Sequence, residues 1–143
     1  MIISQLATME LILIVNSFLL SVIIITQFVS YPLFLKVGAE KFPDYHKLYT
    51  LYISMIVAPA MILELVLSLN LFVYRVDIFS ILNGFFISII WLSTFFLQVP
   101  IHDKISKSYN TGLIKKLILS NWIRTFSWFF KIIICVFAYK LHE

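Results

Sequence analysis

Within the apolar run that ends the chain, Asn121, Arg124, Thr125, Trp128 and Lys131 lie three and four residues apart. At about 100° per residue they share one face of a helix. A guanidinium on such a face can hold an oxygen-rich head group through two parallel hydrogen bonds, which a lysine cannot copy. His46 and His102 bring imidazoles, the side chains best suited to move a proton near neutral pH. Trp91 and Trp128 offer an apolar wall and a ring face for the Arg124 cation. Tyr31, Gln98 and Asn121 add hydrogen-bonding groups. These residues predict a ligand site with Arg124, Asn121, Gln98, Tyr31, Trp91 and Trp128 as binding groups and with His46 and His102 as the acid–base candidates.

The elements that carry these residues are membrane spans. With 62% hydrophobic and 13% charged residues over 143 positions, and a mean hydropathy of +1.00, the chain is too apolar for a soluble domain of its size. Four stretches hold the excess: Leu11–Val29, Leu51–Tyr74, Ile78–Val99 and Leu117–Tyr139. Each is near or above the roughly 20 residues a helix needs to cross about 30 Å of hydrocarbon. No alternation of period two suggests barrel strands. The expected fold is all-α, a single transmembrane domain over residues 1–143 with helices near 6–35, 44–74, 78–99 and 114–140. "MIISQLATME" lacks the basic start of a cleaved signal and carries Glu10, so the first span is expected to stay in the membrane.

Short connections favour an up-down-up-down four-helix bundle. Pro32, Gly38 and Pro43 punctuate the first loop, "RVD" forms a tight hairpin, and Pro100 is expected to break the third helix ahead of a turn at residues 110–112. No internal repeat or low-complexity tract is evident. Lys36, Lys41, Lys47, Lys104, Lys107, Lys115 and Lys116 fall in the first and third loops, against Arg75 and Lys140 on the other side. That bias of seven to two places those loops in the cytoplasm and both termini outside it, in the inner membrane of the cell. The same lysines account for the net charge of +4 and predict contact with the anionic headgroups of the bilayer rather than with nucleic acid. Cys135 is alone and reads as a small packing residue.

Depth along the helices groups the polar residues. At about 1.5 Å per residue from the cytoplasmic boundary, Glu64 and Lys131 both fall about 21 Å in and are expected to pair, because an unpaired charge in hydrocarbon is costly. Arg124 falls about 10 Å in, near Trp91 and Trp128. Tyr31, His46, Gln98, His102 and Asn121 converge above it, with His46, Gln98 and His102 expected at the rim of a cytoplasm-facing pocket. Asn121, Gln27 and Gln98 have a plainer reading as interhelical hydrogen bonds that hold the bundle together. Trp122, Tyr45, Tyr49 and Tyr109 read as an interfacial aromatic belt.

"YPLF" followed by "FPDYH", then Pro59 and Glu64, then "WLSTFFLQVPIHDKI", Gly112 and "NWIRTFSW" resembles a family of small four-helix bacterial membrane proteins, largely of unknown function. The resemblance covers most of the chain, and Asp103 stands where that family often has Asn. In size and hydropathy the chain is distantly similar to anthrone-oxygenase-like membrane proteins, cofactor-free enzymes that oxidise aromatic polyketides. That second likeness implies no substrate.

Three functional classes are compatible with these residues. One is a small membrane enzyme, or a binder, acting on an amphiphilic aromatic or lipid-like molecule. Another is a non-catalytic subunit of a homo-oligomer or larger membrane assembly, or a proton or ion conduit through Glu64 and Lys131. The weakest is a haem or metal protein, which would need His46 and His102 to face each other across the bundle with a metal between them. The residues name no reaction and no cofactor.

Overall fold

The computed structural model describes residues 5–74 and 76–140, and among them every regular element is helical. Helix α1 covers Gln5–Ile25, α2 Tyr31–Phe34, α3 Phe42–Tyr74, α4 Ile78–Ser93, α5 Val99–Ile105 and α6 Thr111–Lys140. A π turn at Thr26–Ser30 joins α1 to α2, and a second at Thr94–Gln98 joins α4 to α5. The result is four spans, Leu6–Phe34, Phe42–Tyr74, Ile78–Ile105 and Thr111–Lys140, each long and apolar enough to cross a membrane. The protein is a four-helix membrane bundle.

Neither Pro32 nor Pro100 ends its helix, contrary to expectation. In a regular α-helix a proline ring meets the carbonyl four residues back and the missing N–H breaks the ladder. Here the ladder widens just before each proline, with Tyr31 N–H bonded to Thr26 O and Val99 N–H to Thr94 O. The widened turn draws carbonyls aside where the ring must fit, so the helix bends and continues. The two segments, "TQFVSYP" and "TFFLQVP", share Thr, Phe and Pro at the same spacing, so the chain does contain one short repeat. Each threonine also binds back along its helix, Thr26 Oγ1 to Val22 O at 2.9 Å and Thr94 Oγ1 to Ile90 O at 2.7 Å. Such back-bonding favours a bend. Pro59, by contrast, sits within an unbroken α3.

Two side-chain caps fix helix starts. Asp77 accepts from Ser80 N at 2.9 Å, while the Ser80 hydroxyl receives Asp77 N–H at 3.0 Å, a reciprocal box that opens α4. Asn110 Oδ1 accepts from Leu113 N at 2.9 Å and opens α6.

The burial pattern is inverted relative to a soluble bundle. Asn16, Gln27, His46, Glu64, Gln98, Asn121 and Lys131 are buried, whereas Val73, Phe96 and Leu119 are each more than 70% exposed. Within the most apolar window of each span only 28–39% of the residues are buried, so the outer faces must meet lipid. The spans form a ring in which α6 packs broadly on α1 and α4, and α1 on α3. The second and third spans pack on each other least among these neighbours.

Candidate functional site

The sparse seam between the second and third spans leaves a cavity of about 580 Å³. Its lining runs from Asp103, Ser106, His102, Tyr31 and Tyr49, near the end of the bundle that carries the first and third loops, to Val57, Met61, Ile62, Trp91 and Trp128 deeper in. Arg124 lies on its wall. One end is therefore polar and the other apolar, in the size range of clefts that enclose a drug-sized ligand.

Arg124 is 7% exposed. Its guanidinium carbon lies 5.3 Å from the centre of the Trp128 ring, a cation–π contact. Among the described residues no carboxylate lies within ion-pair distance of it, and its Nε has no hydrogen-bond partner. A buried cation is normally paired. This one instead interacts with the Tyr31 side chain and presents its charge to a cavity it shares with Tyr31 and Tyr49.

Beside it runs a relay. Tyr31 Oη lies 3.0 Å from His102 Nε2, His102 Nδ1 lies 2.8 Å from His46 Nε2, and His46 Nδ1 lies 2.7 Å from Ser106 Oγ. Two proton arrangements satisfy all three contacts. In one, Tyr31 donates to His102, His102 to His46, and His46 to Ser106. In the other every donor reverses, and Ser106 donates to His46. Passing between them moves the equivalent of one proton along the line, which is what a shuttle requires. All four ring nitrogens are already engaged, and the facing pair bond each other directly. That donor set leaves no nitrogen free to ligate a metal between the two rings. Among the described residues no three of His, Cys, Asp and Glu come together.

Aromatic side chains hold the relay in place. His46 stacks on Phe42 (centroids 5.4 Å apart, 21° between planes) and lies nearly coplanar with the His102 ring that it bonds edge to edge (centroids 5.0 Å apart, 22°). Phe34 meets His46 edge-on at 5.3 Å and Tyr49 at 4.9 Å. Phe34, Phe42 and His46 are fully buried. "YPLF" and "FPDYH" thus build the clamp that orients His46. This end of the bundle is closed by a core of Tyr31, Phe34, Phe42, Ile101, Ile105, Ile114 and Leu117.

The predicted site residues divide into two groups. Arg124, Tyr31, Trp91, Trp128 and His102 share the cavity wall. His46, Gln98 and Asn121 do not line it. His46 is buried behind His102 rather than standing at a rim, because its ring fills the space inside the aromatic clamp. Gln98 Nε2 donates to Ser120 Oγ at 2.9 Å, and Asn121 Nδ2 donates to Gln27 Oε1 at 2.9 Å. Gln27 Nε2 in turn donates to Ile118 O at 3.1 Å. Both π turns thereby anchor their glutamine on α6. Glu64 and Lys131 meet directly, with Nζ 2.5 Å from Oε1 and both side chains fully buried; Trp128 Nε1 donates to the same oxygen at 3.0 Å.

Ser106, Tyr49, Phe34 and Phe42 belong to the site although the sequence pattern does not single them out for it. Ser106 is one helical turn beyond His102, and Tyr49 lies three residues after His46, so each falls on its histidine's face. That spacing is the available signal. No known protein family, curated protein or solved structure matches this chain.

Proposed function

We propose that this protein resides in the cytoplasmic membrane and takes an amphiphilic molecule into the cavity between its second and third spans. Arg124 holds the oxygen-rich head, Trp91 and Trp128 form the apolar wall, and the Tyr31–His102–His46–Ser106 line exchanges a proton with the bound head. The single observation that carries this reading is the buried Arg124 cation, unpaired by any carboxylate among the described residues and facing a cavity of about 580 Å³. The relay favours an enzyme over a passive binder, because binding alone requires no continuous donor–acceptor chain of two histidines whose ends, Tyr31 and Ser106, both stand on the cavity wall. The lysine-rich loops favour a cytoplasmic mouth. A conduit is less well supported, since Trp128 stands between the cavity and the Glu64–Lys131 pair.

The test is mass spectrometry of small molecules that copurify with the protein in a mild detergent, comparing wild type with Arg124→Lys. The substitution keeps the charge and removes the planar fork, so an amphiphile retained by wild type should be lost or fall roughly tenfold. His102→Gln should retain it. Equal amounts of the same species from wild type and Arg124→Lys, or none from either, would overturn the reading.

A further inference from the structure

The cavity has a side opening whose edges are two parallel stripes. Ser54, Ala58 and Ile62 recur every four residues on α3, and Phe95, Val99 and Asp103 recur every four along the third span. All six both line the cavity and are exposed on the outer surface of the bundle. All six lie along spans whose outer faces must contact lipid, with Asp103, ion-paired to Lys107 at 2.7 Å, nearest the loop end. An open, largely apolar seam at membrane depth joins the cavity to the hydrocarbon rather than to water.

We infer that the occupant is a single-tailed acid with one negative charge, drawn sideways from the bilayer through this seam; the inference rests on the proposed reading of the cavity as a ligand site. The charge count gives the head group. Among the described residues Arg124 is the one arginine or lysine on the lining, and the one lining carboxylate, Asp103, lies at the mouth with its own lysine. A carboxylate neutralises one guanidinium through two parallel hydrogen bonds, whereas a dianionic phosphate would leave a surplus charge in low dielectric. Shape gives the tail. The lining on α3 extends from Tyr49 to Ile62, about 20 Å at helical rise, and its deep half is apolar. At about 580 Å³ the space encloses one chain of a drug-sized molecule and not a two-chain phospholipid. The seam lets the tail enter from the side while the head meets Arg124 on the cavity wall.

The experiment uses the full chain in nanodiscs of neutral phosphatidylcholine, with Trp122→Phe to remove the tryptophan stacked on the exposed Phe126. Emission then reports Trp91 and Trp128. Brominated hexadecanoate should quench it saturably, and unlabelled hexadecanoate should relieve the quench while its methyl ester does not. Arg124→Gln should weaken binding roughly tenfold or more. Ala58→Phe and, independently, Ser54→Phe should slow the approach to equilibrium several-fold, whereas Leu69→Phe, on an exposed position of the same span away from the cavity, should not. Saturable quenching by the methyl ester as tightly as by the acid, or unchanged kinetics in both seam variants, would overturn this inference and leave the cavity reading standing. Failure of brominated acid, ester and diacyl lipid alike to quench saturably would overturn both.

Discussion

Asn121 and Arg124 are three residues apart on α6, yet they serve different neighbours. Three residues rotate a helix by about 300°, so the two side chains diverge by about 60°. That is enough to turn Asn121 toward Gln27 on the first span while Arg124 faces the cavity. Periodicity therefore places both on the inner face without resolving which neighbour each meets, and the same ambiguity applies to Gln98. The depth argument is sharper for Glu64 and Lys131, because an unpaired charge in hydrocarbon is costly enough to select its partner. Their contact yields a prediction at this scale. Glu64→Leu or Lys131→Met alone strands a buried charge and should cost about 3–5 kcal/mol. Combining Glu64→Leu with Lys131→Met should recover most of that loss, leaving about 1 kcal/mol for the orphaned Trp128 N–H. Thermal unfolding of the four proteins of the cycle in one detergent measures the coupling, and additive losses would show that the two groups do not depend on each other.

At the scale of elements, the two π turns set the direction of the site. Proline reads as a stop signal because the missing N–H and the ring clash usually end a helix. The local sequence does not reveal that a widened turn upstream absorbs both defects when the helix ends are held from outside. Here Gln27 and Gln98, one in each turn, are tied to α6 across the bundle. Such tertiary anchoring involves residues more than 90 positions apart for Gln27, beyond any window of local pattern. The third span is longer than expected for this reason and carries His102 into the relay. A π turn holds one residue more than the α-helical path through the same points, so removing that residue restores α register without rotating the downstream helix. Deleting half-buried Leu97 together with Pro100→Ala should therefore leave His102 bonded to Tyr31 and His46. Deleting Leu92 within α4 should instead rotate α5 about 100° relative to α4 and break both contacts. Nitrogen-15 spectra of the imidazoles should retain hydrogen-bonded shifts in the first variant and lose them in the second. The opposite pattern would show that the π turn itself positions the histidine.

For the whole molecule, composition carries the class, since little besides a membrane accommodates 62% hydrophobic residues in 143, and the four long apolar stretches carry the number of spans. The seam between the second and third spans is not legible in the same way. Every span is apolar on its outer face, and which neighbouring pair packs least depends on how four irregular surfaces fit together. Orientation is the property of the whole bundle that the sequence addresses most directly. The cavity's polar end, the hydrogen-bonded line and the lysine-rich loops all lie at one end of the bundle, so the side of the membrane they face decides toward which compartment the proposed relay is directed. Seven basic residues in or flanking the first and third loops, against Arg75 and Lys140 on the other side in sequence, favour the cytoplasm, because short basic loops and their flanks are retained there during insertion. Single cysteines at Lys41 and Lys107 should thus resist an impermeant thiol reagent in intact cells and react after lysis, and reporters fused to either terminus should be active only outside the cytoplasm. The test discriminates well because the bundle has an even number of spans, so both termini and both loops must agree. Labelling of Lys41→Cys and Lys107→Cys in intact cells, with both terminal reporters cytoplasmic, would invert the protein and place the proton relay at the outer surface.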